Sequence, residues 1–268
     1  MPTTVGEFRA GDAPLTMLTA YDAPTADACE AAGVDAILVG DSMGNAALGY
    51  DSTLPVTVDE VASRTGAVAR ATEETLVIAD MPFLSFGVDE AESIKNAGRM
   101  VKEAGAHAVK LESGSHTVEL TERLADLGIP VMAHLGLTPQ KVNQLGYARQ
   151  GTSREAAEEI AALADAHEEA GAFALVLEHV PANLATQVTD ELSVPTIGIG
   201  AGPDCDGQVL VANDVLGLGE GLPPFAASFG DVRGEMEKAV SGYVDAVESK
   251  EFPADEHSHV ESELDDLY

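Results

Sequence analysis

The sequence has few of the residues that bind nucleic acid. Only 14 of its 268 residues are lysine or arginine, against 46 aspartates and glutamates, which gives a formal net charge of −32. Such a surface repels nucleic acid and anionic membranes. The acids are spread along the chain rather than confined to its end, "ESELDDLY". This distribution favours a halophile's protein, adapted to concentrated salt, over a protein with an acidic binding tail.

Long hydrophobic runs and clustered cysteines are also absent. No apolar run approaches the ~20 residues that a membrane-spanning helix needs. The start, "MPTTVGEFRAGDAP", lacks the positive and then apolar segments of a secretory signal. Cys29 and Cys205 are far apart and form no CxxC or Cys/His cluster, so we interpret them as buried thiols. We therefore expect a cytoplasmic protein with no membrane contact.

Short apolar, strand-forming runs alternate along the chain with longer amphipathic runs. The predicted strands are 15–20, 36–40, 75–80, 108–112, 130–135, 174–178, 195–200 and 208–212. The predicted helices are 24–32, 58–71, 89–104, 117–127, 153–170, 183–191 and 232–248. Capping boxes, Thr57 with Glu60 and Thr152 with Glu155, support two helix starts. About eight such units in ~250 residues predict an α/β fold, the closed (β/α)₈ TIM barrel.

The same pattern predicts the domain organisation. We expect one barrel domain over residues 1–252 that includes the C-terminal helix. Beyond it, residues 253–268 are acidic and polar and are predicted to form a flexible tail.

Polar residues stand where the predicted strands end, which is the active face of such a barrel. They are Asp41, Ser42, Asp80, Lys110, Glu112, His134 and Glu178. Asp41 or Asp80 alone is explained equally well as a helix N-cap. Together with Glu112, however, they would repel one another unless a cation joins them, and oxygen-only ligands suit Mg²⁺. We therefore predict a metal site formed by Asp41, Asp80 and Glu112.

The remaining polar residues each leave two interpretations open. Lys110 either pairs with an acid or holds a substrate carboxylate, and Ser42 is either a turn residue or a second donor to that carboxylate. His134 is either a buried core histidine or part of the site. Glu178 ends a strongly apolar run and is either a structural glutamate or a general base.

Eight short motifs, in this order, resemble the ketopantoate hydroxymethyltransferase family. They are "TAYD" (19–22), "LVGDSMG" (38–44), "GYDSTLPVT" (49–57), "ADMPF" (79–83), "VKLESG" (109–114), "HLGLTPQ" (134–140), "VLEHVP" (176–181) and "IGIGAG" (197–202). The resemblance covers nearly the whole chain and implies a barrel of the phosphoenolpyruvate mutase/isocitrate lyase-like superfamily. Two loops depart from the family pattern: "LGYARQG" (145–151) is shorter, and "PPFAASF" (223–229) has no lysine nearby.

The resemblance also implies an activity and a site. Such an enzyme transfers a hydroxymethyl group from 5,10-methylenetetrahydrofolate to 3-methyl-2-oxobutanoate and gives 2-dehydropantoate for pantothenate and coenzyme A synthesis. It implies Mg²⁺, or another divalent cation, on Asp41, Asp80 and Glu112. The 2-oxo acid would contact Asp41, Asp80, Ser42, Lys110 and His134, and Glu178 would be the general base. A large homo-oligomer, a decamer-like ring, is expected on the same ground.

Two alternatives remain at this point. One is a 2-oxo-acid C–C lyase or phosphonate mutase of the same superfamily, but such enzymes commonly place a cysteine after the early strands, where "GDSMGNAALG" has none. The other is a barrel that only senses an oxo acid. A sensor would not need a base beside a cluster of carboxylates.

Overall fold

The computed structural model describes residues 3–10, 14–219 and 221–261. Within them, eight parallel strands pair in sequence order and close into a barrel, with β8 returning to pair with β1. The strands are β1 Leu15–Thr19, β2 Ala36–Val39, β3 Leu76–Asp80, β4 Ala108–Glu112, β5 Val131–Gly136, β6 Ala174–Glu178, β7 Thr196–Ile199 and β8 Gly207–Leu210. The predicted fold is confirmed.

One short helix precedes β1, and the other helices lie between the strands or after β8. They are α1 Val5–Arg9, α2 Ala23–Ala31, α3 Met43–Ala46, α4 Val58–Ala71, α5 Glu90–Lys102, α6 Val118–Asp126, α7 Val142–Leu145, α8 Arg154–Glu169, α9 Ala182–Glu191, α10 Ala212–Val215 and α11 Val232–Glu248. The sequence pattern does not predict α1, α3, α7 and α10, because helices of four or five residues are too short to show an amphipathic period. No helix in the described part of the chain is long and apolar enough to cross a membrane.

One predicted capping box is confirmed and the other is wrong. Thr57 caps α4, since its hydroxyl accepts from the backbone N–H of Glu60 and the Glu60 carboxylate accepts from the N–H of Thr57. Helix α8 is instead capped by Ser153, whose hydroxyl accepts from the backbone N–H of Ala156 at 3.2 Å. Thr152 lies one residue too early, because the cap is the residue directly before the first helical position.

The barrel interior is charged at the carboxyl ends of the strands and apolar nearer their amino ends. Paired residues of parallel strands face the same side, and the register pairs Asp80 with Lys110 and Glu112 with His134. Deeper in the barrel the inward side chains are apolar and buried, as at Ile78, Ala108, Met132, Val176 and Ile197. Every second residue of a strand faces inward, so one strand supplies an apolar residue to the core and, two positions later, a charged residue to the site.

The chain divides into two compact units. The barrel unit runs to Ala212 and includes Pro223–Ala226, and the second unit comprises Asn213–Leu222 and the chain from Ala227 onward. In the second unit, α11 begins after Asp231, whose carboxylate accepts from the backbone N–H of Gly234. The predicted boundary at residue 252 and the flexibility of the tail stay predictions. Part of that tail, residues 262–268, lies outside the described residues.

Candidate active site

The structure brings the seven sequence-predicted residues to one cavity. This central cavity, of about 100 Å³, opens at the carboxyl ends of the strands. Its lining includes Asp41, Ser42, Asp80, Lys110, Glu112, His134 and Glu178. They meet because each closes or follows a strand, and parallel strands end at the same edge of the barrel. Their individual roles stay predictions.

Three carboxylates of the central cavity are buried close together. Asp41, Asp80 and Glu112 are each about 95% buried, and the Asp41 backbone N–H donates to Oδ2 of Asp80 at 3.0 Å. Burial, and then the Asp80 charge, raises the pKa of Asp41 to about 7. Burial, followed by the Asp41 charge, raises the pKa of Glu112 well above its ordinary value. The site therefore holds more negative charge than its surroundings stabilise.

Lys110 is the cation of this cluster. Its Nζ lies 2.7 Å from Oδ1 of Asp80, and both side chains are almost fully buried. Burial alone would lower the pKa of the Lys110 ammonium, but the charges of Asp80 and Asp41 outweigh that effect and raise the pKa. Of the two interpretations of Lys110, pairing with an acid is what the structure shows, and contact with a substrate carboxylate stays a prediction.

His134 links Lys110 to Glu178. Its Nδ1 lies 3.3 Å from Nζ of Lys110, and its Nε2 lies 3.1 Å from Oε2 of Glu178. Burial, followed by the Lys110 charge, lowers the pKa of His134, so the ring is neutral. An ammonium can only donate, so Nδ1 is the acceptor and Nε2 carries the proton that faces Glu178. The contact with Glu178 is close but falls short of hydrogen-bond alignment.

Gln140 is a site residue that strand-end reasoning does not find. Its side-chain Nε2 donates to Oδ2 of Asp41 at 2.9 Å and to the carbonyl of Met81 at 3.0 Å. Its backbone N–H lies 3.1 Å from both carboxylate oxygens of Glu112. One residue of the loop after β5 therefore fixes two of the three buried carboxylates. The signal was its place at the end of the motif "HLGLTPQ".

Two further residues were also missed. Thr53 lines the central cavity, is 4% exposed, and its buried hydroxyl has no hydrogen-bond partner among the described residues. Buried hydroxyls are normally paired, so an unpaired one that faces a cavity indicates a ligand contact. Tyr21 is buried beside the site, and its hydroxyl lies 2.9 Å from Oγ of Ser42, which positions that serine.

A glycine allows the close approach of two strands at the site. Gly136 has φ +98°, and a Cβ there would overlap the carbonyl oxygen of Glu178. The backbone N–H of Leu137 donates to that same carbonyl at 2.8 Å. The turn after β5 therefore fixes the end of β6, and with it the backbone of Glu178.

No group of three or more His, Cys, Asp or Glu side chains within the described ranges is already arranged to hold a metal ion. The carboxylate oxygens instead face Lys110 and Gln140. The donor chemistry nevertheless suits a hard cation, because the predicted ligands Asp41, Asp80 and Glu112 offer only carboxylate oxygens.

Fold and site together define a (β/α)₈ barrel of the enzyme type, with an acidic cavity at the carboxyl ends of its strands. The family model described as ketopantoate hydroxymethyltransferase matches residues 3–255, and the chain belongs to this family. It is 71% identical to a 3-methyl-2-oxobutanoate hydroxymethyltransferase of Haloarcula marismortui, over the whole of both chains. It is 69% identical to one of Natronomonas pharaonis, over 97% of each chain. These halophilic relatives confirm the prediction of a halophile-adapted family member.

Solved structures show the same fold at low sequence identity. A phosphoenolpyruvate phosphomutase from Streptomyces platensis subsp. rosaceus has a TM-score of 0.64 at 16% identity, over 99% of this chain and 95% of that one. A 2,3-dimethylmalate lyase of the PEP mutase/isocitrate lyase superfamily has a TM-score of 0.57 at 17% identity, over 98% and 92%. These structures share the barrel fold, and membership of their superfamily stays a prediction. At such identities the likeness concerns the fold alone, so it does not favour the lyase or mutase alternative.

Proposed function

We propose that the chain transfers a hydroxymethyl group from 5,10-methylenetetrahydrofolate to 3-methyl-2-oxobutanoate and gives 2-dehydropantoate. The names of the relatives support the acceptor and the transferred group. The observation that carries the proposal is the placement of Glu178, which borders a cavity lined by three buried carboxylates and a buried lysine. Removing the C3 proton of a 2-oxo acid, beside its keto group, needs a base close to the groups that bind the acid.

The three carboxylates suit a divalent cation such as Mg²⁺. Asp41 and Asp80 would hold the ion, and Glu112 would join them directly or through water. The charge of the ion would offset the burial and the carboxylate repulsion that raise the pKa values of Asp41 and Glu112. When bound, such an ion supplies Lewis-acid polarisation of the keto group.

The other polar residues bind the acid and move its proton. Ser42, held by Tyr21, and the ammonium of Lys110 would hold the substrate carboxylate. Glu178 would take the proton from C3, and the neutral His134 beside it would orient the carboxylate. The electron pair left at C3 forms the new bond to the one-carbon unit of the donor, as one of the two carbon–nitrogen bonds of that unit breaks and the freed nitrogen takes up a proton, which balances the one removed from C3. Water then supplies the hydroxyl group to the transferred carbon and a proton to the second nitrogen, as the second carbon–nitrogen bond breaks and tetrahydrofolate leaves.

Two further expectations concern the assembly, which rests on the family resemblance alone, and the location, which rests on the sequence pattern. We propose a large homo-oligomer, a decamer-like ring, and a location in the cytoplasm. Both can be tested directly, the first by light scattering in molar salt and the second by fractionation of the source cells.

Exchange of the C3 proton tests the proposed base. Protein, Mg²⁺ and 3-methyl-2-oxobutanoate are incubated in D₂O without donor, and loss of the C3 proton signal is followed by NMR. Glu178→Gln should lower the exchange rate by roughly 10²–10⁴-fold, the usual contribution of a general base. The matched control is Glu158→Gln, on the exposed face of α8. Near-normal exchange by Glu178→Gln would show that another group is the base.

A further inference from the structure

A second cleft adjoins the central cavity and shares one of its walls. This side cleft, of about 170 Å³, is lined by Phe83, Leu84, Val88, His116, Lys141 and Glu112, among others. Glu112 also lines the central cavity. A ligand in the side cleft would therefore lie next to whatever the central cavity holds.

One side of the side cleft is apolar and exposed. Phe83, Leu84 and Val88, in the loop between β3 and α5, are 39%, 63% and 72% exposed. Leu84 also has φ +60°, a left-handed conformation that is unfavourable for a leucine. Neighbouring exposed apolar side chains at the mouth of a cleft are typical of a binding surface.

The other side of the side cleft carries one ammonium, of Lys141, and one imidazole, of His116, in a chain with a net charge of −32. A Cβ at Gly114 would lie 3.0 Å from Nδ1 of His116 and 3.8 Å from Nζ of Lys141, so the two groups flank one glycine. Lys141 is half-buried and forms no ion pair with any residue that the structure describes. An unpaired ammonium beside an imidazole is complementary to an anionic ligand group.

We infer that the side cleft binds the one-carbon donor, a flat heteroaromatic ring with carboxylates on its tail. The inference rests on the proposed function. The ring would pack on Phe83, Leu84 and Val88, and a tail carboxylate would face Lys141 and His116. The donor must bring its reactive carbon to within bonding distance of C3 of the acid, and a cleft that shares a wall with the central cavity meets that condition.

Larger clefts elsewhere in the barrel do not meet this condition, as two of them show. One, of about 350 Å³, is lined by Leu15 and Pro195 at the amino ends of β1 and β7, the opposite end of the barrel from the central cavity. The other, of about 360 Å³, is lined by Arg149, Arg154 and residues near them. Neither shares a lining residue with the central cavity.

The test separates donor binding from proton exchange. In Lys141→Gln the KM for 5,10-methylenetetrahydrofolate should rise about tenfold, as for the loss of one charge-assisted contact, and C3 exchange without donor should match that of the wild type. Lys141→Arg should restore most of the affinity for donor. The matched control is Lys102→Gln, at the exposed end of α5. Because Val88 is largely exposed, Val88→Glu should fold and raise the same KM.

Each other outcome is informative. If wild-type protein shows no exchange, the proposed function fails, whatever the side cleft does. If exchange is normal but Lys141→Gln and Val88→Glu both leave the KM for donor unchanged, the donor binds elsewhere. If Lys141→Gln also abolishes exchange while the protein remains folded, Lys141 serves the oxo acid, and this assignment of the side cleft is overturned.

Discussion

Nε2 of His134 lies 3.1 Å from Oε2 of Glu178, while Nδ1 of the same ring lies 3.3 Å from the ammonium of Lys110. His134 therefore stands between the group that would take the proton and the group that would bind the acid. We expect His134→Gln to keep more exchange activity than His134→Ala, because a glutamine amide can place a donor near the position of Nε2. The loss in His134→Ala should be roughly tenfold to a hundredfold, less than in Glu178→Gln, measured as the rate of C3 exchange. Equal rates in the two His134 variants would exclude orientation by this contact.

Gln140 should govern the affinity for metal. Gln140→Met removes the donor to Asp41 and leaves the backbone donor to Glu112 in place. Residues that orient metal ligands typically contribute 10–100-fold to metal affinity, so Mn²⁺ or Mg²⁺ should bind weaker by roughly that factor in calorimetric titrations. Gln144→Met, on an exposed face of α7, is the control. Unchanged metal affinity in Gln140→Met would show that the orientation of Asp41 by Gln140 does not contribute to metal binding.

Thr53 should contribute to binding of the oxo acid. Its buried hydroxyl has no partner among the described residues, and a 2-oxo acid offers acceptor oxygens only. Thr53→Val should raise the KM for 3-methyl-2-oxobutanoate by roughly tenfold, and Thr53→Ser should restore it. Metal affinity, measured without the acid, should be the same in both variants. A fall in metal affinity in Thr53→Val would assign the hydroxyl to the ion's surroundings instead.

Removing the carboxylate charge of Asp80 should destabilise the metal-free protein. Asp80→Asn leaves the buried ammonium of Lys110 without the carboxylate 2.7 Å away. Breaking a buried pair on one side costs roughly 3–5 kcal/mol, which urea unfolding would measure. The double variant Asp80→Asn/Lys110→Met should recover much of this loss, since it no longer buries the Lys110 ammonium without its carboxylate partner. A double variant as unstable as the single one would contradict this account.

Glu30 gives a pH dependence remote from the active site. Burial opposes its ionisation, but the backbone N–H groups of Glu74, Thr75 and Glu73 donate to its carboxylate and hold its pKa below the ordinary value. A lowered pKa in the folded state means that the stabilisation is present above the unfolded-state pKa of 4.5 and is lost as the pH falls through the folded-state value. Glu30→Ala should therefore cost about 1 kcal/mol at pH 7, and less at pH 3, in urea unfolding.

The strands and most of their end residues could be predicted from the sequence, because continuous apolar runs of five residues in a β/α alternation admit few folds. The run "AVKLE" of β4 matches the structure over its whole length. Strand ends could be placed in one cavity because barrel geometry brings them together wherever they occur in the chain. The two interpretations of Lys110 could not be separated, since its choice of Asp80 depends on the register between β3 and β4.

The contacts of Gln140 could not be predicted at all. They join residues 28 and 99 positions apart in sequence, through a loop whose path follows no periodic pattern. The role of Thr53 could not be predicted for a similar reason, because the sequence does not indicate where the hydroxyl of a loop threonine points. The cap of α8 was placed one residue too early because Thr152 and Ser153 are both good caps, and only the backbone decides between them.

Strand β4 carries Ala108, Lys110 and Glu112 on its inner side, while Val109 and Leu111 pack outward against the helices. An inserted residue at the start of this strand would invert the arrangement. Lys110 and Glu112 would then face the apolar layer beneath the helices, and Val109 and Leu111 would face the central cavity. A change in the length of this five-residue strand would therefore disturb the core and the site together.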